Sequence, residues 1–286
     1  GGSSNPGGNM VHTIDGVLYF NAIDGSSGQE LWKHDPSTGT TSRIYDIKAG
    51  SSGSSVGLRM SMVVDDVLFF SANDGSFGHE LWAYNTSNSS NPWQVMDINS
   101  GPDSSNPGHW LEIVVGDTLY FSANDGSTGH ELWAHDSSNH STWQVSDISS
   151  GSGDGNPGRY MQILVGDTIY FSATDGSTGD ELWAHDTSNG TTWRVADINT
   201  NGHSFPGYTM EPNLVGDAIY FDANDGSTGY ELWAHDASNH STWQVTNIYE
   251  ANSNLGNYMS LIVGDTIYFD ANDGSSGYEL WAHDTS

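Results

Sequence analysis

Tyr120-Phe121-Ser122-Ala123-Asn124-Asp125-Gly126-Ser127-Thr128-Gly129-His130-Glu131-Leu132-Trp133-Ala134-His135-Asp136 decides the fold, because the chain carries versions of this stretch six times. The Asp-Gly aspartates Asp24, Asp74, Asp125, Asp175, Asp225 and Asp273 follow one another at intervals of 50, 51, 50, 50 and 48 residues. A unit repeated at a near-constant interval builds an array, so function is read per unit or on a shared axis. The units run over about 1–50, 51–101, 102–151, 152–201, 202–250 and 251–286, and they fill the chain as one expected repeat domain.

Outward from the quoted stretch, Leu111-Glu112-Ile113-Val114-Val115, the turn Gly116-Asp117 and Thr118-Leu119-Tyr120-Phe121-Ser122-Ala123 read as a β-hairpin. Glu131 to His135 supplies a third strand and Thr142-Trp143-Gln144-Val145-Ser146-Asp147-Ile148 a fourth. Leu119 and Phe121 point one way and Tyr120 the other, so both faces of the sheet seek burial. Four-stranded antiparallel sheets that pack on one another through both faces are propeller blades, and the expected fold is an all-β six-bladed β-propeller. An open stack of sheets is the competing architecture. The fourth strand recurs at Arg43 to Ile47, Trp93 to Ile98, Trp193 to Ile198 and Trp243 to Ile248, but the sixth unit stops at Asp284-Thr285-Ser286. Its blade is expected to lack the outer strand, or the natural polypeptide to continue, and an unpaired edge there would recruit another chain.

Acidic residues number 36 against six Lys and Arg, giving a net charge of −30. Phosphate binding needs clustered cationic side chains, so nucleic acid and anionic membrane surfaces are excluded as partners, and cations are the natural counterparts. Cysteine is absent, which removes disulfides and thiol nucleophiles. No apolar run reaches the length of a membrane span, and no signal peptide precedes Gly1, so a secreted protein would be represented here by its mature form.

Tyr170-Phe171, Ala173-Thr174-Asp175-Gly176, Gly179-Asp180-Glu181-Leu182-Trp183 and Val195-Ala196-Asp197-Ile198, with their counterparts elsewhere, resemble the ELWxxDGT repeat proteins over nearly the whole chain. The turn after the Trp departs from that pattern, reading Asp136-Ser137-Ser138, Asp186-Thr187-Ser188 or Asp236-Ala237-Ser238 in place of Asp-Gly-Thr. The resemblance implies an extracellular or cell-surface propeller-like protein and implies no reaction.

Each unit sets an Asp and a Glu six residues apart: Asp24/Glu30, Asp74/Glu80, Asp125/Glu131, Asp175/Glu181, Asp225/Glu231 and Asp273/Glu279. Two carboxylates and loop carbonyls are the hard oxygen ligands Ca²⁺ prefers. The alternative is an Asx turn closed by the Asp, with the Glu accepting hydrogen bonds from a neighbouring blade. The fourth-strand aspartates Asp46, Asp97, Asp147 and Asp197 read as acceptors for backbone amides. His34, His135, His185, His235 and His283 stand too far apart for one ion and are expected to donate to the adjacent carboxylate or pack on Trp.

No Gly-rich phosphate loop or serine–histidine–aspartate arrangement stands out, and sixfold repetition gives no pair of carboxylates distinct environments. An enzyme, including one acting on glycans, would need asymmetry, so no catalysis is expected. Before the first strands the units diverge, at Arg59, Trp110, Arg159, Tyr160, Tyr208 and Tyr258. These residues are a candidate aromatic rim for sugar rings, or else a plug of the axis. Sequons recur between third and fourth strands at Asn85, Asn88, Asn139, Asn189 and Asn239, as N-glycosylation would use. Together these features lead to the expectation of a non-enzymatic structural or adhesive surface module with glycans or copies of itself as partners, and a lectin as the alternative.

Overall fold

The computed structural model describes residues 2–88 and 90–286; Gly1 and Ser89, the middle of the Asn88 sequon, lie outside them. Among the described residues there is no helix, and the strands form six antiparallel sheets, five of four strands and the last of three. Each sheet takes its strands in chain order, as a propeller blade does.

Blade three shows why the sequence folds this way. Its strands are Glu112–Val115, Thr118–Asn124, His130–Asp136 and Ser141–Ser146. Val115 pairs with Thr118, so the hairpin turns on Gly116-Asp117, with Gly116 at φ +59°, where glycine carries no Cβ penalty. Phe121 faces Trp133 and Leu119 faces His135 across the central pair. Five consecutive residues of each central strand are buried, as a sheet covered on both faces requires.

The fourth strands differ from their sequence reading. Except in the second unit, where the strand starts at Trp93 as read, they begin earlier, and all stop before the Asp-Ile or Asn-Ile pair, at Tyr45, Met96, Ser146, Ala196 and Gln244. In blades one to four the register against the third strand slips at a bulge between the Leu and the Trp, for example Leu132/Trp133. The Ile N–H then leaves the ladder for a carboxylate: Ile98 donates to Glu80 at 2.8 Å and Ile47 to Glu30 at 2.9 Å.

The chain divides into two compact units, one of the residues up to Asp147 with Gly151–Gly153, the other of Ile148–Ser150 with Asp154–Ser286. In the first unit, Met60, Phe69, Leu81 and Ile98 of blade two share a core with Leu119, Phe121 and Trp133 of blade three. In the second, Tyr170 and Leu182 of blade four pack with Ile219 and Phe221, and Tyr220 and Leu232 of blade five with Ile267 and Phe269 of blade six. Phe121, Phe171 and Phe221 are fully buried, worth about 1.5–3 kcal/mol each relative to exposure. In the three-stranded sixth sheet Leu280 is 66% exposed, whereas its counterparts Leu132 and Leu232 are at 0%.

Candidate functional site

The Asp and Glu of each repeated pair serve separate networks. Every loop aspartate closes an Asx turn: Asp125 accepts from the amides of Ser127 and Thr128 at 2.8 and 2.7 Å, and Asp24, Asp74, Asp175, Asp225 and Asp273 do the same in their units. The glutamates turn inward. Glu80 accepts from the amides of Ile98 and Ser105, both at 2.8 Å, and from Ser105 Oγ at 2.6 Å, so it ties the end of its own blade to the loop entering the next. Glu30, Glu181 and Glu231 hold their own Ile amides and following loops in the same way. Glu131 is buried too, while Glu279 of the three-stranded sheet is exposed. Among the described residues no three His, Asp, Glu or Cys are grouped to hold a metal ion.

These carboxylates set a pH profile. Burial pushes Glu80 and Glu181 up to about 7 against the hydrogen bonds they accept, and burial likewise pushes Asp222 up to about 7. The folded chain thus holds protons that the unfolded chain releases near pH 4. The stability these groups lend is full below about pH 4 and is lost as pH rises through about 7. Asp24, Asp175 and Asp273 act in the opposite sense. For Asp175, burial alone would raise the pKa, but the amides of Ser177 and Thr178 outweigh it and bring it to about 2; for Asp24 and Asp273 the loop amides are the leading cause of depression. Their contribution is lost as pH falls below about 4. Melting temperature is expected to peak at about pH 4–5 and to fall by about 5 °C or more by pH 8. A flat or rising scan over that range contradicts this.

The third-strand histidines bond threonine on the fourth strand rather than the adjacent carboxylate. Nδ1 of His34, His135, His185 and His235 lies 2.8–2.9 Å from Oγ1 of Thr41, Thr142, Thr192 and Thr242. The cause is register, since each His sits directly across from its Thr. The His135 ring packs on Phe69, His235 on Tyr170 and His283 on Tyr220. Asp97 accepts from the Gly101 amide at 3.2 Å, while Asp46 and Asp197 pair with Arg43 and Arg194. Asn139, Asn189 and Asn239 lie on exposed turns, each with Nδ2 donating to the preceding Asp136, Asp186 or Asp236; Asn88 is exposed and Asn85 half-buried.

The candidate ligand residues divide into groups. In the first unit Trp110 packs edge-on against His109 and His130, with ring centroids 4.3 and 4.7 Å away, and Arg59 is exposed. In the second unit Tyr258 pairs with Tyr278 at 5.3 Å. Tyr160 and Tyr208, also in the second unit, come together at 5.5 Å and gather two rings the repeat pattern hides, Phe205 at 5.2 Å from Tyr160 and Tyr230 stacked at 5.4 Å on Tyr208. Arg159 places its guanidinium 5.3 Å from the Tyr160 ring centre.

Beside these rings the sixfold pattern breaks. The third strand opens with Gln29, His79, His130, Tyr230 and Tyr278 in the other units, but with Asp180 in the fourth. His203, from the loop entering blade five, stacks flat on Phe205 at 4.8 Å and sets Nδ1 2.7 Å from Asp180 Oδ2. Nδ1 also lies 2.9 Å from the Asp180 amide nitrogen, so it either accepts from that N–H or, carrying its own proton, donates to the carboxylate, while Nε2 sits on a half-exposed ring. Asp180 is 4% exposed, and its Oδ1 has no hydrogen-bond partner among the described residues.

Asp222 lies behind. Where the first four units use Asn21, Ser71, Ser122 and Ser172 to accept the amides leading into the first strand, the fifth and sixth use aspartates: Asp222 accepts from Thr209 and Met210, directly after Tyr208, and Asp270 from Tyr258 and Met259. Asp180, His203, Phe205 and Tyr230 escape a search for recurring residues. Comparison down the repeat columns would expose the first two, as an acid and an imidazole in adjoining units.

The chain matches no protein-family model and no curated protein. Among solved structures it is similar to puromycin hydrolase, with 12% identity over 96% of this chain and 43% of that chain and a TM-score of 0.51. A prolyl endopeptidase structure gives 11% identity, 96% and 40% coverage and a TM-score of 0.55. A puromycin-hydrolyzing peptidase of Mycobacterium tuberculosis gives 11% identity, 100% and 43% coverage and a TM-score of 0.52. At such identities the likeness shows the fold alone: this is a β-propeller. The chain spans 40–43% of the length of those proteins. The expectation of a structural or adhesive surface module, with its lectin alternative, is corrected by this finding, because the propellers it is like are carried within peptidase chains.

Proposed function

We propose that this propeller is the recognition domain of a hydrolase system, one that seats a peptide-like ligand on the rings over Asp180 and His203 and performs no bond cleavage itself. The observation that carries the reading is the break in symmetry: where the fourth unit meets the fifth, an acid, an imidazole and four aromatic rings come together. Function grafted onto a repeat scaffold is sought where one unit departs from the rest. That the similar structures include a prolyl endopeptidase and a puromycin-hydrolyzing peptidase supplies the class of ligand. The repeated carboxylates are engaged as turn acceptors and buried ties, which suits a rigid carrier.

The test uses the full chain with N-acetylated pentapeptide amides carrying a fluorogenic leaving group. Ligand-detected NMR is expected to show binding that weakens about tenfold in Tyr208→Ala, with no release of fluorophore above buffer. Turnover that disappears in His203→Ala would overturn the reading in favour of a catalytic site.

A further inference from the structure

We propose that Tyr160, Phe205, Tyr208 and Tyr230, with Asp180 beside them, form a seat for an organic cation, a quaternary or methylated ammonium group carried by the ligand. This deepens the recognition role above and rests on that cluster being where the ligand docks. Aromatic faces carry negative potential and attract cations, the more so where water is partly excluded. The cluster already shows this with the chain's own Arg159, whose guanidinium lies over the Tyr160 ring. Tyr208 is 55% exposed and backed by Tyr230, so one ring offers an open face while the next holds it in place.

The electrostatics beneath the rings point the same way. Asp180 is buried with one oxygen bonded to His203 and the other lacking a partner, a costly arrangement that a positive charge relieves. The Tyr230 hydroxyl is pushed well above the usual tyrosine range, first by burial and then by Asp222, Tyr208, Tyr160 and Asp180. Burial opposes charge of either sign there, whereas the carboxylate of Asp180 favours a cation in the same place. Between Ile148 and Ser286 the only Lys or Arg residues are Arg159 and Arg194, and Arg194 is held by Asp197 at 3.4 Å and Asp175 at 3.9 Å. An anionic ligand would be repelled by Asp180, and a neutral ring would leave that carboxylate unused. A quaternary head, which donates no hydrogen bonds, suits a seat made mainly of ring faces; a primary ammonium would need acceptors for three N–H groups.

The test titrates the full chain by ligand-detected NMR with choline and with 3,3-dimethylbutan-1-ol, its neutral isostere. Choline is expected to bind about tenfold more tightly than the alcohol. Tyr208→Ala is expected to weaken choline about tenfold at unchanged melting temperature, its ring being more than half exposed. Arg159→Gln, which removes a competing cation, is expected to tighten choline about threefold, and Asp180→Asn to weaken choline while sparing the alcohol.

Equal affinity for choline and the alcohol overturns the cation inference and leaves an apolar seat, with the recognition role standing. Weaker choline binding in Arg159→Gln overturns it as well. Choline silent while the pentapeptides still bind at Tyr208 overturns the cation inference alone. Silence of both probes overturns it together with the recognition role.

Discussion

Glu80→Ala is expected to cost about 3–5 kcal/mol of unfolding free energy, against about 1 kcal/mol for Asp74→Ala in the same unit. The contrast separates two carboxylates that look equivalent in the repeat. Asp74 is a surface acceptor whose amides turn to water when it is removed. Glu80 is fully buried, and its removal strands the Ile98 amide, the Ser105 amide and the Ser105 hydroxyl in a dry place. Glu80→Gln should fall between, because it keeps acceptor capacity on one oxygen but turns an NH₂ toward groups that donate. Urea denaturation measures all three. Equal costs for Glu80→Ala and Asp74→Ala would mean that the Glu does not tie the blade to the next loop.

Gly179→Ala is expected to destabilise the chain by about 3 kcal/mol or more and to abolish ligand binding at the ring cluster. Gly179 takes φ +84°, and a Cβ built there would stand 2.4 Å from the Gly202 carbonyl oxygen and 2.9 Å from the His203 Cα. Both are backbone atoms of the loop that delivers His203, so the loop must move, and the imidazole moves away from Asp180. Gly116→Ala is the control: it also has positive φ, but a Cβ there meets nothing within 4 Å, so its cost should stay near 1 kcal/mol. If Gly179→Ala binds choline and peptide like the wild-type chain, the position of His203 is irrelevant to the site.

The blade was legible because its signals agree. Tyr120 and Phe121 next to Leu119 demanded burial on both faces, and Gly116-Asp117 supplied a turn of the right length. The three strands of the sixth sheet were legible for the same reason, since no Trp-x-Val-x-Asp-Ile stands between Asp284 and Ser286. The end of each fourth strand was not. A period-2 pattern runs through Val145 and Asp147 alike and carries no mark of the bulge at Leu132/Trp133, nor of an Ile amide leaving the ladder for a carboxylate far along the chain.

The candidate site was legible in part. Tyr160 and Tyr208 stood out as departures before first strands, and they meet. Trp110 and Tyr258 stood out equally and belong to other ring groups. Phe205 and Tyr230 lie at other positions in their units, so only the folded chain brings them beside Tyr160 and Tyr208. Asp180 was masked by the neighbouring Glu181, whose recurrence drew the chemistry to the wrong carboxylate, the one engaged in tying blade to loop.

An NMR spectrum of the full chain with ¹³C-labelled tyrosine rings, recorded while choline and then the acetylated pentapeptides are added, follows every phenol at once. Resonances of Tyr160, Tyr208 and Tyr230 are expected to shift together and saturate, while Tyr19, Tyr84, Tyr120 and Tyr258 stay in place. Shifts confined to Tyr258 or spread evenly over all the tyrosines, or three unmoved resonances at Tyr160, Tyr208 and Tyr230, would contradict a ligand seat built by the fourth and fifth blades.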